Sequence, residues 1–215
     1  FANYVLNLTS VNQFNSTAGL GNVSCGPASI TSILEFLNRT RFPGIMDGHN
    51  VTSLLHNLTS EFNVTQPNGA SDVTIVDRLT RYLRSLNLSG NITMRFYADD
   101  ILPNGPNVTT PINYSSHGTN VEVPDRDANA TDFITELVTN QEMVLVLFRN
   151  MALGNGHYMA ADNANTNPNA NGNYNVSFMD PWTGSIEHGE MQPNGDTQVG
   201  GRLWEIWSMI TISET

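Results

Sequence analysis

The spacing of apolar residues changes along the chain, and this change restricts the fold more than any other feature. In the first part, apolar side chains recur every three or four positions, which predicts helices just after Cys25, from Val51 to Phe62 and from Ser71 to Leu86. In the later part, the apolar segments are short runs rich in β-branched and aromatic residues, which favour strands. Helices followed by a mainly antiparallel sheet indicate the α+β class rather than a doubly wound parallel sheet.

The 215 residues are expected to form one domain, because a chain of this length can bury a sizeable core and the sequence shows neither an internal repeat nor a clear linker. Its helical lobe would extend over about residues 1–90 and its sheet lobe over about residues 91–215. The later part is predicted to contain a short helix from Thr131 to Thr139 and five strands: Thr93 to Tyr97, Met143 to Phe148, His157 to Ala161, Asn175 to Met179 and Arg202 to Ile212.

Asparagine is unusually frequent and unusually placed. Of the 28 Asn residues, 13 begin the N-glycosylation sequence Asn-x-Ser/Thr, although 37 Ser and Thr among 215 residues would give about 5 by chance. These residues are Asn7, Asn15, Asn22, Asn38, Asn50, Asn57, Asn63, Asn87, Asn91, Asn107, Asn113, Asn129 and Asn175. The chain also begins at Phe1 without a basic or apolar leader, which predicts a mature chain whose targeting segment has been removed. We therefore expect a secreted or cell-surface protein that carries N-linked glycans.

The charge balance is strongly acidic, and it excludes two classes of partner. The chain has 20 Asp and Glu against nine Arg and no Lys, which gives a net charge of -11. Such a charge repels nucleic-acid phosphates and anionic lipid headgroups, so we expect no nucleic-acid partner. The longest apolar run, Met143 to Phe148, is too short to cross a bilayer, and no transmembrane segment is predicted.

A single cysteine, Cys25, lies directly before the first predicted helix. Unpaired backbone N–H groups and the helix dipole lower the pKa of a thiol at such a position, and the thiolate is the nucleophilic form. A lone thiol in a secreted chain has no bridge to form within the chain. From the residue type alone, Cys25 is a reactive nucleophile, a buried inert side chain or a link to another chain.

Two later residues complete a candidate catalytic set. His157 follows the flexible turn Gly154 to Gly156 and opens an apolar strand, where an imidazole can project into a cleft and transfer protons. Asp180 ends the next predicted strand and precedes Pro181. If these two strands are neighbours, the Asp180 carboxylate can hold the second nitrogen of His157, as the third member of a triad does.

Three motifs resemble those of papain-like cysteine peptidases, and most closely the branch related to the double-glycine leader peptidases of bacteriocin exporters. The motifs are Val23 to Ser29 (VSCGPAS), the apolar strand Val144 to Phe148 followed by Gly156-His157-Tyr158, and Asp180-Pro181-Trp182. Together they cover the chain from about Gln13 to Trp182, and they occur in the order that this family shows.

The resemblance implies a fold, a reaction and one further residue. The fold would be papain-like α+β: an N-terminal helical lobe with the catalytic Cys at a helix start, packed on a C-terminal antiparallel β-sheet. The reaction would be peptide-bond hydrolysis through a thioester intermediate, on a peptide or protein substrate and without a cofactor or metal. Gln13, the only Gln before Cys25, would donate to the oxyanion, with Asn12 and Asn22 as substitutes because Gln13 lies 12 residues ahead of the nucleophile.

Two other functions use the same residues differently. The chain could be a catalytically silent extracellular subunit that serves assembly or adhesion, because dense glycosylation and a sugar on Asn22 beside Cys25 suit a coat or filament protein that self-assembles. Alternatively, the Cys25, His157 and Asp180 set could carry out acyl or peptidyl transfer, which requires a second acceptor site that the sequence does not reveal.

Overall fold

The computed structural model describes residues 3–98, 120–122 and 126–215. Two of the predicted glycosylation residues, Asn107 and Asn113, lie outside these ranges. The described helices are α1 (Cys25–Thr40), α2 (Val51–Glu61), α3 (Asp72–Ser85) and α4 (Ala130–Ile134), which continues into a π-helix (Thr135–Thr139). Short 3-10 helices cover Gln13–Asn15, Gly21–Val23 and Ser89–Asn91. The described strands are β1 (Asn3–Val5), β2 (Ile92–Ala98), β3 (Asn120–Glu122), β4 (Met143–Asn150), β5 (Gly156–Asn165), β6 (Tyr174–Asp180), β7 (Ser185–Met191), β8 (Thr197–Val199) and β9 (Arg202–Glu214).

Six antiparallel strands form a closed barrel. Strands β5, β6, β7, β8 and β9 follow one another in the sheet, and β4 pairs with both β5 and β9, which completes the ring. Strand β1 extends the sheet beyond β5, while β2 pairs with β9 and then with the parallel strand β3. Closure leaves the six strands of the ring without a free sheet edge.

The predicted papain-like fold, a helical lobe packed on a C-terminal antiparallel sheet, is therefore wrong: the sheet is a closed barrel with extra strands, and the described helices are 5 to 16 residues long. The strands β7 and β8, which the apolar pattern did not reveal, connect β6 to β9. A β-bulge between Leu147 and Phe148 on β4 and the 13-residue length of β9 allow the sheet to curl onto itself.

One hydrophobic cluster joins the helices to the barrel. Helix α1 contacts β4, β5 and β6, and it buries Ile30, Ile33, Leu34 and Leu37 at the spacing that its sequence predicted. Inside the barrel, Phe178 on β6 lies in edge contact with Phe148 on β4. This packing fixes the start of α1 against the strands that carry His157 and Asp180.

The pairing of β7 with β8 depends on a glycine, and this dependence gives a stability prediction. A Cβ atom at Gly189 would lie 2.2 Å from the carbonyl oxygen of Gln198 and 2.9 Å from Cβ of Val199, so an added methyl group must push the two strands apart. We expect Gly189→Ala to lower the free energy of unfolding by about 1–3 kcal/mol, as overpacking does. Chemical unfolding measures this change, with Gly90→Ala as the matched control because a Cβ there meets no atom within 4 Å. Equal stability of the two variants would contradict the tight β7–β8 contact.

The described part of the surface accommodates the predicted glycans. Nine of the 11 described glycosylation residues are exposed, and the other two, Asn38 and Asn57, are half-buried. Among the described residues, no helix is both long enough and apolar enough to cross a membrane.

Candidate thiol active site

Cys25 is the first residue of α1, and its surroundings leave the start of this helix open. The N-cap residue Ser24 makes no side-chain cap, because its hydroxyl donates to the carbonyl oxygen of Leu20 at 2.8 Å. The first N–H groups of α1 are therefore free to interact with charge near the Cys25 sulfur. Gly26 allows close packing here, since a Cβ would lie 2.8 Å from Cδ1 of Ile75 and 3.3 Å from Cδ2 of Tyr158.

The strand pair β5–β6 brings His157 and Asp180 together. The strands are antiparallel, so the start of β5 meets the end of β6. Nε2 of His157 lies 2.7 Å from Oδ1 of Asp180, and the backbone N–H of Trp182 donates to the same oxygen at 2.9 Å. Both side chains are buried. With Nε2 engaged by Asp180, Nδ1 is the ring nitrogen available to the thiol.

His157 lies near enough to Cys25 for each group to shift the pKa of the other. Burial raises the pKa of Cys25, but the hydrogen bond and positive charge of His157, with the backbone N–H groups of Tyr158 and Gly26, outweigh burial and leave the pKa below its usual value. Burial lowers the pKa of His157, but Asp180 and Cys25 together raise it to about 9. Both shifts favour the charged forms, a thiolate next to an imidazolium.

The structure thus brings together Cys25, His157 and Asp180, which the sequence had grouped by order and motif. Their catalytic roles stay a prediction. Trp204, which the sequence did not place in this group, contacts the candidate base. Its ring on β9 packs against the His157 ring, with 5.6 Å between the ring centroids and an angle of 33° between the ring planes. Trp204 is buried and donates from Nε1 to the carbonyl oxygen of Val199, which holds its ring in place.

Gln13 lies close to the site, but one amide hydrogen is already engaged. Its backbone N–H donates to the carbonyl oxygen of Pro181 at 2.9 Å, and its Nε2 donates to the carbonyl oxygen of Gly21 at 2.7 Å. The side chain is buried, and Oε1 has no hydrogen-bond partner among the described residues. Only the second amide hydrogen remains for an oxyanion, so this role of Gln13 stays a prediction.

The two substitutes for Gln13 lie in different surroundings. Oδ1 of Asn12 accepts from the backbone N–H of Phe14 and caps the first 3-10 helix. Asn22 is exposed and lines the cavity that adjoins Cys25. A glycan on Asn22 would therefore start at the edge of the candidate active site.

A cavity of about 530 Å³ opens beside the sulfur of Cys25. Its lining includes the segment from Pro67 to Asp72, which leads into α3, and also Leu147, Asn155 and Trp207. The volume is typical of a site that receives a small molecule or part of a peptide. Of the two Trp on β9, Trp207 lines the cavity, whereas Trp204 is in the core.

The sequence did not indicate that the segment from Pro67 to Asp72 belongs to this site, because nothing in its residue types places it beside Cys25.

Among the described residues, no group of three or more His, Cys, Asp or Glu is arranged to hold a metal ion. Comparison with known protein families and with curated proteins found no match to this sequence.

Proposed function

We propose that this protein is a secreted, N-glycosylated cysteine peptidase. The observation that carries the proposal is the chain of contacts from the Cys25 thiol through His157 to Asp180, at the start of a helix and beside a cavity. A thiol with a lowered pKa, a base of raised pKa and an orienting carboxylate are the parts that nucleophilic catalysis by cysteine requires. Exposure of most described glycosylation residues supports an extracellular location.

Each residue has one task in this reaction. The Cys25 thiolate attacks the carbonyl carbon of the scissile peptide bond, and the negative charge moves to the carbonyl oxygen. The backbone N–H of Cys25 and the start of α1 stabilise that oxyanion, together with the second amide hydrogen of Gln13. Protonated His157 gives its proton to the leaving amine, and a thioester remains. Neutral His157 then takes a proton from water as the water attacks the thioester, which releases the acid and restores the pair.

A second candidate function is supported by one observation. Asn22 is exposed, begins a glycosylation sequence and lines the cavity. A glycan at this position would cover the entrance, which suits a catalytically silent subunit used for assembly or adhesion. Alkylation of Cys25 in glycosylated wild-type protein and in Asn22→Gln distinguishes the two functions: a thiol that reacts only in Asn22→Gln favours the silent subunit.

The first test of the peptidase is the rate at which iodoacetamide alkylates Cys25 between pH 4 and 9. At pH 5.5 we expect folded protein to react about 100-fold faster than protein unfolded in urea, because a thiol of ordinary pKa is almost fully protonated at that pH. The lower intrinsic nucleophilicity of a thiolate with a low pKa is included in this estimate. Mass spectrometry of the peptide that contains Cys25 measures the rate.

Two variants give this test its controls. His157→Gln should lose most of the reactivity at pH 5.5 while retaining its folded structure, because the imidazolium that stabilises the thiolate is gone. Trp182→Phe should retain the rate, since Trp182 contributes to Asp180 only through its backbone N–H. A thiol that is slower in the folded than in the unfolded protein at every pH would show that Cys25 is structural.

A further inference from the structure

The cavity beside Cys25 has one charged residue in its wall. Of the described residues that line it, Asp72 is the only Asp, Glu, Arg or His, and the others are small, amide or apolar residues. Asp72 is the first residue of α3 and is 2% exposed. Within the described part of the chain, no positively charged group pairs with this buried carboxyl group.

The hydrogen bonds of Asp72 leave one oxygen unused. Oδ1 accepts from the backbone N–H of Val73 at 2.8 Å, while Oδ2 has no partner among the described residues. The neighbouring hydroxyl of Ser208 on β9 also lacks a hydrogen bond of good geometry. Burial raises the pKa of Asp72, although proximity to Ser208 and the N–H of Val73 oppose this shift. An unpaired buried carboxyl oxygen is costly, and a donor that reaches it gains a strong hydrogen bond.

We propose that the cavity selects peptide substrates with a basic side chain of the arginine type, which binds the carboxyl group of Asp72. The apolar walls support this assignment, because Leu147 and Trp207 can cover the methylene groups of such a side chain. A fully apolar side chain would fill the same space and leave Oδ2 of Asp72 without a partner. This inference rests on the proposed peptidase function, since it assigns the substrate of that same site.

The test compares two peptidyl electrophiles that differ in one side chain. Each carries a fluoromethyl ketone that alkylates Cys25, and each has arginine or its uncharged isostere citrulline at one of the two residues next to the electrophile. We expect the arginine probe to inactivate wild-type protein about tenfold faster or more, the range that a hydrogen bond to a charged group provides. In Asp72→Asn this preference should fall to about twofold or less.

Two further variants separate a specific effect from a general one. Asp77→Asn is the matched control, because Asp77 lies on the same helix and does not line the cavity. It should retain the full preference for arginine. Ser208→Ala removes the neighbouring hydroxyl, leaves the carboxyl group in place and should also retain that preference. If Asp72→Asn folds poorly, the comparison of the arginine and citrulline probes on wild-type protein still tests the proposal.

Iodoacetamide has no side chain to place in the cavity. It therefore separates the assignment of Asp72 from the proposed peptidase function. Fast alkylation by iodoacetamide at pH 5.5 with equal rates for the arginine and citrulline probes would overturn the assignment of Asp72 and leave the peptidase intact. An arginine preference that is unchanged in Asp72→Asn would overturn it as well. Slow alkylation by every reagent would instead contradict the peptidase itself.

Discussion

Replacing Asp180 by alanine is expected to lower kcat/KM for peptide hydrolysis by about 100-fold, whereas Asp180→Asn should lower it by about tenfold or less. The difference follows from the hydrogen bonds at Asp180. Nε2 of His157 and the N–H of Trp182 both engage Oδ1. An asparagine with its carbonyl oxygen at this position accepts from both donors, so it keeps the orientation of the imidazole and loses only the charge. Alanine loses both.

The same pair of variants predicts a change in pH dependence. In the proposed reaction the reactive form is the thiolate with protonated His157, so activity is expected to fall at high pH as His157 loses its proton. Asp180 contributes to a His157 pKa of about 9, and removing its charge lowers that pKa. The alkaline limb of the kcat/KM profile should therefore move from near pH 9 to a lower pH in Asp180→Asn. Stopped-time assays from pH 5 to 10 on one fluorogenic peptide measure both limbs.

A matched control for Asp180 is Asp196→Asn, since Asp196 interacts with the turn residues Asn194 and Gln192 and not with the thiol site. Its activity profile should match that of wild-type protein. Loss of activity to the same degree in Asp180→Asn and Asp180→Ala, with no shift of the alkaline limb, would mean that Asp180 supports the strand end rather than His157.

The sequence predicted the elements that hold the thiol site because strong local patterns specify them. The apolar spacing after Cys25 reflects a helix that buries its apolar residues. The apolar run of β4 reflects a strand that is buried on both faces. In both elements the tertiary contacts agree with the local pattern. The grouping of Cys25, His157 and Asp180 depended on motif order rather than on periodicity. It needed only that β5 and β6 be neighbours, and that pairing is common to an open sheet and a closed barrel.

Closure of the barrel was not predictable from the same patterns. Strand β7 contains Glu187, His188 and Glu190, and most of its residues are half-buried, so it lacks the alternation that marks a strand with one buried face. Strand β8 has only three residues. The wall formed by Pro67 to Asp72 was equally hidden, because its place beside Cys25 results from the packing of α3 and not from local sequence.

An aromatic chain connects the barrel interior to the candidate base. It consists of Phe133, Phe178, Phe148, Trp204 and His157, with successive ring centroids 5.3 to 6.2 Å apart. Phe178 is fully buried and contacts two members of the chain, Phe133 and Phe148. The barrel core therefore contacts the His157 ring through Trp204, while Asp180 binds the Nε2 edge of the same ring.

We expect Phe178→Ala to lower the free energy of unfolding by about 3–5 kcal/mol, because it leaves a cavity among Phe133, Phe148 and the barrel walls. Phe178→Leu should cost less, since the leucine fills part of that space. Urea unfolding monitored by Trp fluorescence measures both changes. Phe14→Ala is the matched control: this ring is 46% exposed, and its loss should cost about 1 kcal/mol or less.

The same variants test whether Phe178 affects the thiol site. The ring of Phe178 makes no ring contact with His157, so the folded fraction of Phe178→Leu should still react with iodoacetamide at pH 5.5 within about fivefold of the wild-type rate. A much larger loss of reactivity, without a loss of stability, would mean that Phe178 controls the position of His157 rather than the stability of the barrel.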